Sequence, residues 1–169
     1  MSVKSWDMVW NIGARTREPR RRPGRRPEQG ESFIARLSGF EEVPPVFSRA
    51  RGSFAARFNA AANAIEYELS YTDLSSPATA AHLHFGQPGV NGEIFAFLCG
   101  GDQSPACSGQ SATIRGEITP DDVLPIPDQG LEEGDLQGAL EIMRRGLAYV
   151  NVHTELIPRG EIRGQVRVR

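Results

Sequence analysis

Cysteine and histidine are scarce in this chain of 169 residues, with two of the first and three of the second. No stretch approaches the roughly 20 apolar residues of a membrane-spanning helix, so no membrane span is expected. The N-terminal segment also lacks the apolar run of about 7 to 15 residues that a secretory signal uses, and nothing in the sequence as written directs export. A Ser-His-Asp order, a phosphate-cradling glycine loop and a nucleophilic-cysteine context are missing as well, as is any repeat of about 20 to 50 residues. Catalysis therefore has no recognisable constellation to rest on.

Net positive charge is confined to one end. Within residues 1–30, Lys4 and seven arginines stand against Asp7, Glu18 and Glu28, which gives +5; the whole chain carries −2, so the remainder carries −7. Phosphate backbones are bound by basic surfaces, and the acidic body is not expected to bind nucleic acid. The stretch from Arg15 to Gly30 has almost nothing apolar to offset the entropy of ordering, so residues 1–30 are expected to form a disordered Arg-rich tail. An arm for an anionic partner or a sorting signal is one reading of it. A solvated leader or an upstream start codon is the other.

What is present describes one turn-rich globular domain over 31–169. Glycine (18) and proline (12) are plentiful, with 39% hydrophobic and 24% charged residues. Alternating apolar and polar residues predict strands over Ser32–Leu37, Gly52–Phe58, Ala64–Tyr71, Thr79–Phe85, Glu93–Leu98, Ala112–Ile118, Leu147–Thr154 and Glu161–Val168. The Val43-Pro44-Pro45-Val46 segment must be a loop or an edge, because proline cannot donate to a ladder. Thr119-Pro120-Asp121-Asp122 favours a short helical turn. Asp135 can cap an amphipathic helix over Leu136–Arg145 that stops at Gly146. The fold class is all-β, an antiparallel Greek-key-like sandwich of about eight strands with one short late helix; a barrel is the alternative.

Cys99 and Cys107 bracket the turn-rich Gly-Gly-Asp-Gln-Ser-Pro-Ala. A disulfide there would close a small loop and contribute about 2 to 3 kcal/mol on the chain-entropy model. Two unpaired thiols are the alternative, and a metal knuckle is disfavoured by the long spacing. A disulfide implies an oxidising compartment, so the expected location is extracellular, periplasmic or the cell envelope despite the missing leader.

All three histidines fall in two predicted strands. Strand geometry puts His82 and His84 on one face, about 6 to 7 Å apart. His153 lies 69 residues after His84 and could complete a three-nitrogen site if the fold brings the two strands together. Three neutral imidazoles suit a single Zn²⁺, Cu²⁺ or iron ion, and the cofactor expectation is one Zn or Cu ion. Glu155 is a fourth ligand only if the turn after His153 folds back. The rival reading is a hydrogen-bonded network in which Asn151, on the face of His153, joins Thr154 and Thr79 in pinning the strands without an ion. Glu161 and Arg163 share a strand face and could pair or act catalytically, but their alternation with Ile162 and Val166 reads as a half-exposed last strand.

Three ordered motifs carry a family likeness: Phe33-Ile-Ala-Arg-Leu-Ser-Gly-Phe-Glu-Glu-Val-Pro-Pro-Val46; Thr79-Ala-Ala-His-Leu-His84 with Gly86, Gly89, Asn91 and Gly92; and Gly146-Leu-Ala-Tyr-Val-Asn-Val-His-Thr154 followed by Pro158-Arg-Gly-Glu-Ile-Arg-Gly-Gln165. Over roughly 31–168 the chain resembles the CHRD domain, the module named for chordin, in the form of a bacterial-style single domain. The resemblance implies a secreted or envelope-associated β-rich binding or structural module without demonstrated catalysis. Its partner would be a protein or extracellular-matrix ligand. A small mononuclear metalloprotein, redox active or not, is the alternative.

Overall fold

The computed structural model describes residues 30–102 and 104–169; the expected Arg-rich tail lies outside them except for Gly30. Nine strands form among the described residues: β1 (Ser32–Ser38), β2 (Arg51–Asn59), β3 (Ala64–Thr72), β4 (Ala78–Phe85), β5 (Glu93–Cys99), β6 (Ala112–Ile118), β7 (Ala148–Thr154), β8 (Ile162–Gln165) and β9 (Arg167–Val168). The one α-helix among the described residues, α1, spans Leu136–Arg144. Short 3₁₀ turns occupy Gly39–Glu41, Pro120–Asp122 and Pro127–Gln129, and the proline-rich 43–46 segment is a loop, as its chemistry requires. The predicted final strand divides into β8, which pairs with β7 and at one position with β1, and β9, which pairs with β1 alone.

All pairings are antiparallel, and the strands form one sheet in the order β5-β4-β7-β8-β1-β2-β3-β6. The separate sheets of the expected Greek-key sandwich are not seen. β8 hydrogen-bonds β7 on one side and meets β1 at Ser38↔Arg163 on the other, joining what would otherwise be two layers. The sheet curls into a nearly closed barrel, and Tyr67 of β3 reaches across the gap to donate its hydroxyl hydrogen to the Leu98 carbonyl of β5 at 2.6 Å. Gly116, opposite Tyr67 on β6, makes this possible, since a Cβ there would lie 2.4 Å from the tyrosine oxygen.

Period-two alternation sends Phe33, Ala35 and Leu37 of β1 and Ile65, Tyr67, Leu69 and Tyr71 of β3 into the core. Leu83, Val150, Val152 and Ile162 fill it from the other side, each fully buried and each contributing about 1.5 to 3 kcal/mol by leaving water. Asp135 caps α1 by accepting from the Gly138 N–H at 2.8 Å, and Leu136, Ala139, Leu140 and Met143 join the core. Gly146, at φ 67°, turns the chain out of the helix into β7. Cys99 and Cys107 form a disulfide that ties the end of β5 to the following loop.

The pairing that brings the three histidines together is β4 with β7, in the register His82↔Asn151, His84↔Tyr149 and Ala80↔His153. Because Leu83, Val150 and Val152 point into the core, these residues of the opposite phase occupy the outer face of the sheet. That face is nonetheless covered, by the loops 39–48, 86–92 and 155–161.

Candidate metal centre

The three histidines meet. Each offers one ring nitrogen such that these atoms all lie within 4.8 Å of one another. His82 Nδ1 is 3.0 Å from His153 Nε2, and Asn151 Oδ1 is 3.0 Å from both His84 Nε2 and His153 Nε2. A metal bonded to imidazoles at about 2.0 to 2.1 Å holds their nitrogens about 3 to 4 Å apart, so side-chain rotations of less than an ångström would gather all three.

Backbone carbonyls fix the tautomers. His84 Nδ1–H donates to the Gly92 carbonyl at 2.9 Å, and His153 Nδ1–H donates to the Pro158 carbonyl at 3.0 Å. A carbonyl only accepts, so both protons sit on Nδ1 and both Nε2 atoms present lone pairs when the rings are neutral. Neutral they are: burial depresses His82 to about 3, with the neighbouring imidazoles adding to the effect, and it depresses His84 to about 4 against the raising effect of its hydrogen bonds. Burial also lowers His153, the most accessible of the three. A carbonyl oxygen on the far nitrogen of a histidine is the arrangement that orients metal-ligating imidazoles.

Asn151 can serve either of two functions here. With its oxygen inward, as it lies, Oδ1 and two Nε2 lone pairs converge with no proton between Oδ1 and either nitrogen, which is a donor set for a cation. Because His153 Nε2 is unprotonated, its 3.0 Å contact with His82 Nδ1 is a hydrogen bond donated by His82 in the metal-free protein; with the Asn151 amide turned end for end, its hydrogens would also reach His84 Nε2 and close a metal-free network.

Aromatic rings wall the cluster. His82 packs edge-on against Phe97 at 4.5 Å, and His84 lies parallel to the Tyr149 ring at 4.6 Å. Arg163, from β8, places its guanidinium carbon 3.4 Å above that tyrosine ring and donates to the Val90 carbonyl at 2.8 Å and to Asn91 Oδ1 at 3.2 Å. It thus holds the loop that presents the Gly92 carbonyl to His84.

Glu161 and Arg163 are buried, not half-exposed, and do not share a face: Arg163 lies under the 86–92 loop on the outer face, whereas Glu161 turns to the Thr154 side, where Ser48 and Ser75 cover it. Nor do they pair. The Glu161 carboxylate accepts from the Ser48 hydroxyl (2.7 Å), the Ser75 hydroxyl (2.7 Å) and amide (2.9 Å), and the Thr154 hydroxyl (3.0 Å). Burial alone would raise its pKa, but these donors hold it below the usual carboxylate range. Thr154 belongs to this second network, since it points the opposite way from His153, and Thr79 is exposed. Glu155 is exposed and outside the imidazole cluster; the turn after His153 brings back the Pro158 carbonyl instead.

Sequence reasoning missed Tyr149, which the phase of Asn151 and His153 could have supplied, and Glu42, which no periodicity marks. Glu42 is only 6% exposed, and burial pushes its carboxyl up to about 7 despite the lowering effects of the Arg163 charge and the Val43 backbone N–H.

A curled all-β sheet with a buried imidazole cluster and a covered polar outer face is the class of protein these features define. The CHRD domain family matches residues 33–166, and the chain belongs to that family. No curated protein and no solved structure matches it. Among the described residues no helix is long and apolar enough to cross a membrane.

Proposed function

We propose that this CHRD domain is a non-catalytic binding module of an oxidising, extracytoplasmic compartment, and that it holds one divalent transition metal at His82, His84 and His153 with Asn151 completing the donor set. The observation that carries the metal reading is the pair of backbone-committed imidazoles, His84 and His153, whose Nε2 lone pairs face Asn151 Oδ1 across 3.0 Å. Nitrogen-rich donors of this kind suit Zn²⁺ or Cu²⁺. The disulfide supports the compartment.

Metal analysis of the purified protein and thermal melts with added Zn²⁺ or Cu²⁺ test it. At a free metal concentration of about 100 times Kd the fold should gain about 2.7 kcal/mol, a rise in Tm of roughly 5 to 10 °C, and His153→Ala should abolish the gain. Absence of both stoichiometric metal and any thermal shift overturns the reading. A second reading, a partner-binding module without an ion, is favoured by the exposed aromatic pair Phe40 and Phe47, whose ring centroids lie 6.1 Å apart. The same melts separate the two.

A further inference from the structure

Glu42 Oε1 is a buried acceptor with no hydrogen-bond donor among the described residues. Such an atom costs about 1 to 3 kcal/mol, more when charged, so its retention calls for a reason. It comes from the loop that covers the outer face of the sheet, and it lies beside the back of the imidazole cluster. A Cβ on Gly160 would sit 2.6 Å from Glu42 Oε1 and 2.9 Å from Asn151 Nδ2, so the bare Gly160 backbone, at φ 122°, leaves open the space that both atoms border. The amide nitrogen is the donor on that side, and the amide oxygen faces His84 and His153.

We propose that Glu42 is the positioning residue of this centre: across the space beside Gly160, without a direct hydrogen bond, its negative charge attracts the Asn151 amide nitrogen outward and so keeps Oδ1 turned toward the imidazoles, in the orientation that accepts a cation. The inference rests on the metal reading for its purpose but not for its geometry. An amide turned the other way would place a second oxygen on the side of Oε1, acceptor against acceptor, and would spend a hydrogen on His84 Nε2, whose lone pair has no other donor. Glu42 thus disfavours the metal-free network and leaves the His84 lone pair available, while His82 must give up its Nδ1 proton for all three rings to ligate. Carboxylates placed behind ligating groups typically change metal affinity by about 10- to 100-fold.

Two measurements test this. In the metal-free protein, proton NMR should show nuclear Overhauser contacts from the Asn151 amide hydrogens to the Glu42 side chain; contacts from those hydrogens to the His84 and His153 ring protons alone would overturn the proposal whether or not metal binds. In Zn²⁺ competition against a chromophoric chelator, Glu42→Met should weaken binding about 10- to 100-fold. Glu42→Gln, which keeps an oxygen acceptor, should restore most of that loss, and the Co²⁺ absorption spectrum should change in the Met variant and return in the Gln variant. Equal Zn²⁺ affinity in wild type and Glu42→Met overturns the proposal, as does a Gln variant no better than the Met one. Wild-type protein that binds no Zn²⁺ defeats the metal reading instead, with the NMR contacts still deciding the orientation.

Discussion

Acidifying the metal-free protein from about pH 7.5 to about pH 5 sets the buried imidazoles against the buried carboxyl. His82 is held down at about 3 and His84 at about 4 from a usual 6.5, so both stay neutral in the fold while the unfolded chain takes up protons below pH 6.5. A depressed imidazole pKa means that stability is complete above 6.5 and is lost as the pH falls toward the folded value. By pH 5 each ring has cost about 2 kcal/mol, at 1.36 kcal/mol per pH unit. Glu42 acts in the opposite sense, because its folded pKa of about 7 lies above the usual 4.5 and the fold takes up its proton first. Between pH 7 and 5 that returns about 2 to 3 kcal/mol. The wild type should therefore lose only about 1 to 2 kcal/mol from these three groups, whereas Glu42→Gln should lose about 4. His153, also lowered, adds to the loss in both proteins. Urea denaturation with chelator present, at the two pH values, reads the difference. Identical pH dependence in the two proteins, or a wild type that gains stability on acidification, would refute the reasoning.

Glu161→Ala removes the acceptor for the Ser48, Ser75 and Thr154 hydroxyls at once and should destabilise the fold by about 3 kcal/mol or more in chemical denaturation; a loss below about 1 kcal/mol would show that the network matters little. Opening the Cys99–Cys107 bond, by reductant or by serine at both positions, should cost about 2 to 3 kcal/mol for a sequence separation of 8, and lower Tm by roughly 4 to 12 °C. An unchanged melt would contradict this.

Strand positions were legible because alternation is a local signal: Ala112–Ile118 was read with its observed bounds, and the other strands through β7 fell within a residue or two at each end. The closure of the sheet was not, since the meeting of β8 with β1 and of β3 with β6 depends on contacts distant in the chain. The shared phase of His82 with His84, and of Asn151 with His153, was also readable, and it located the cluster. Glu161 and Arg163 misled for a physical reason. Their alternation with Ile162 looks half-exposed, but burial here comes from loops that carry no periodicity. Glu42 sits in such a loop, and only the folded chain reveals it.

His82 and His153 are 71 residues apart, and their strands become neighbours only when β7 docks on β4. Contacts of such sequence separation form late and slow folding, because a long loop must close before any interaction rewards it. The cluster is therefore a clasp between the two halves of the domain. A fragment ending before β7 would carry two of the imidazoles and lack the third, the amide between them and the Pro158 carbonyl. Any ligand held by all three thus distinguishes a finished domain from an incomplete one, and would lock this long-range strand pair in place.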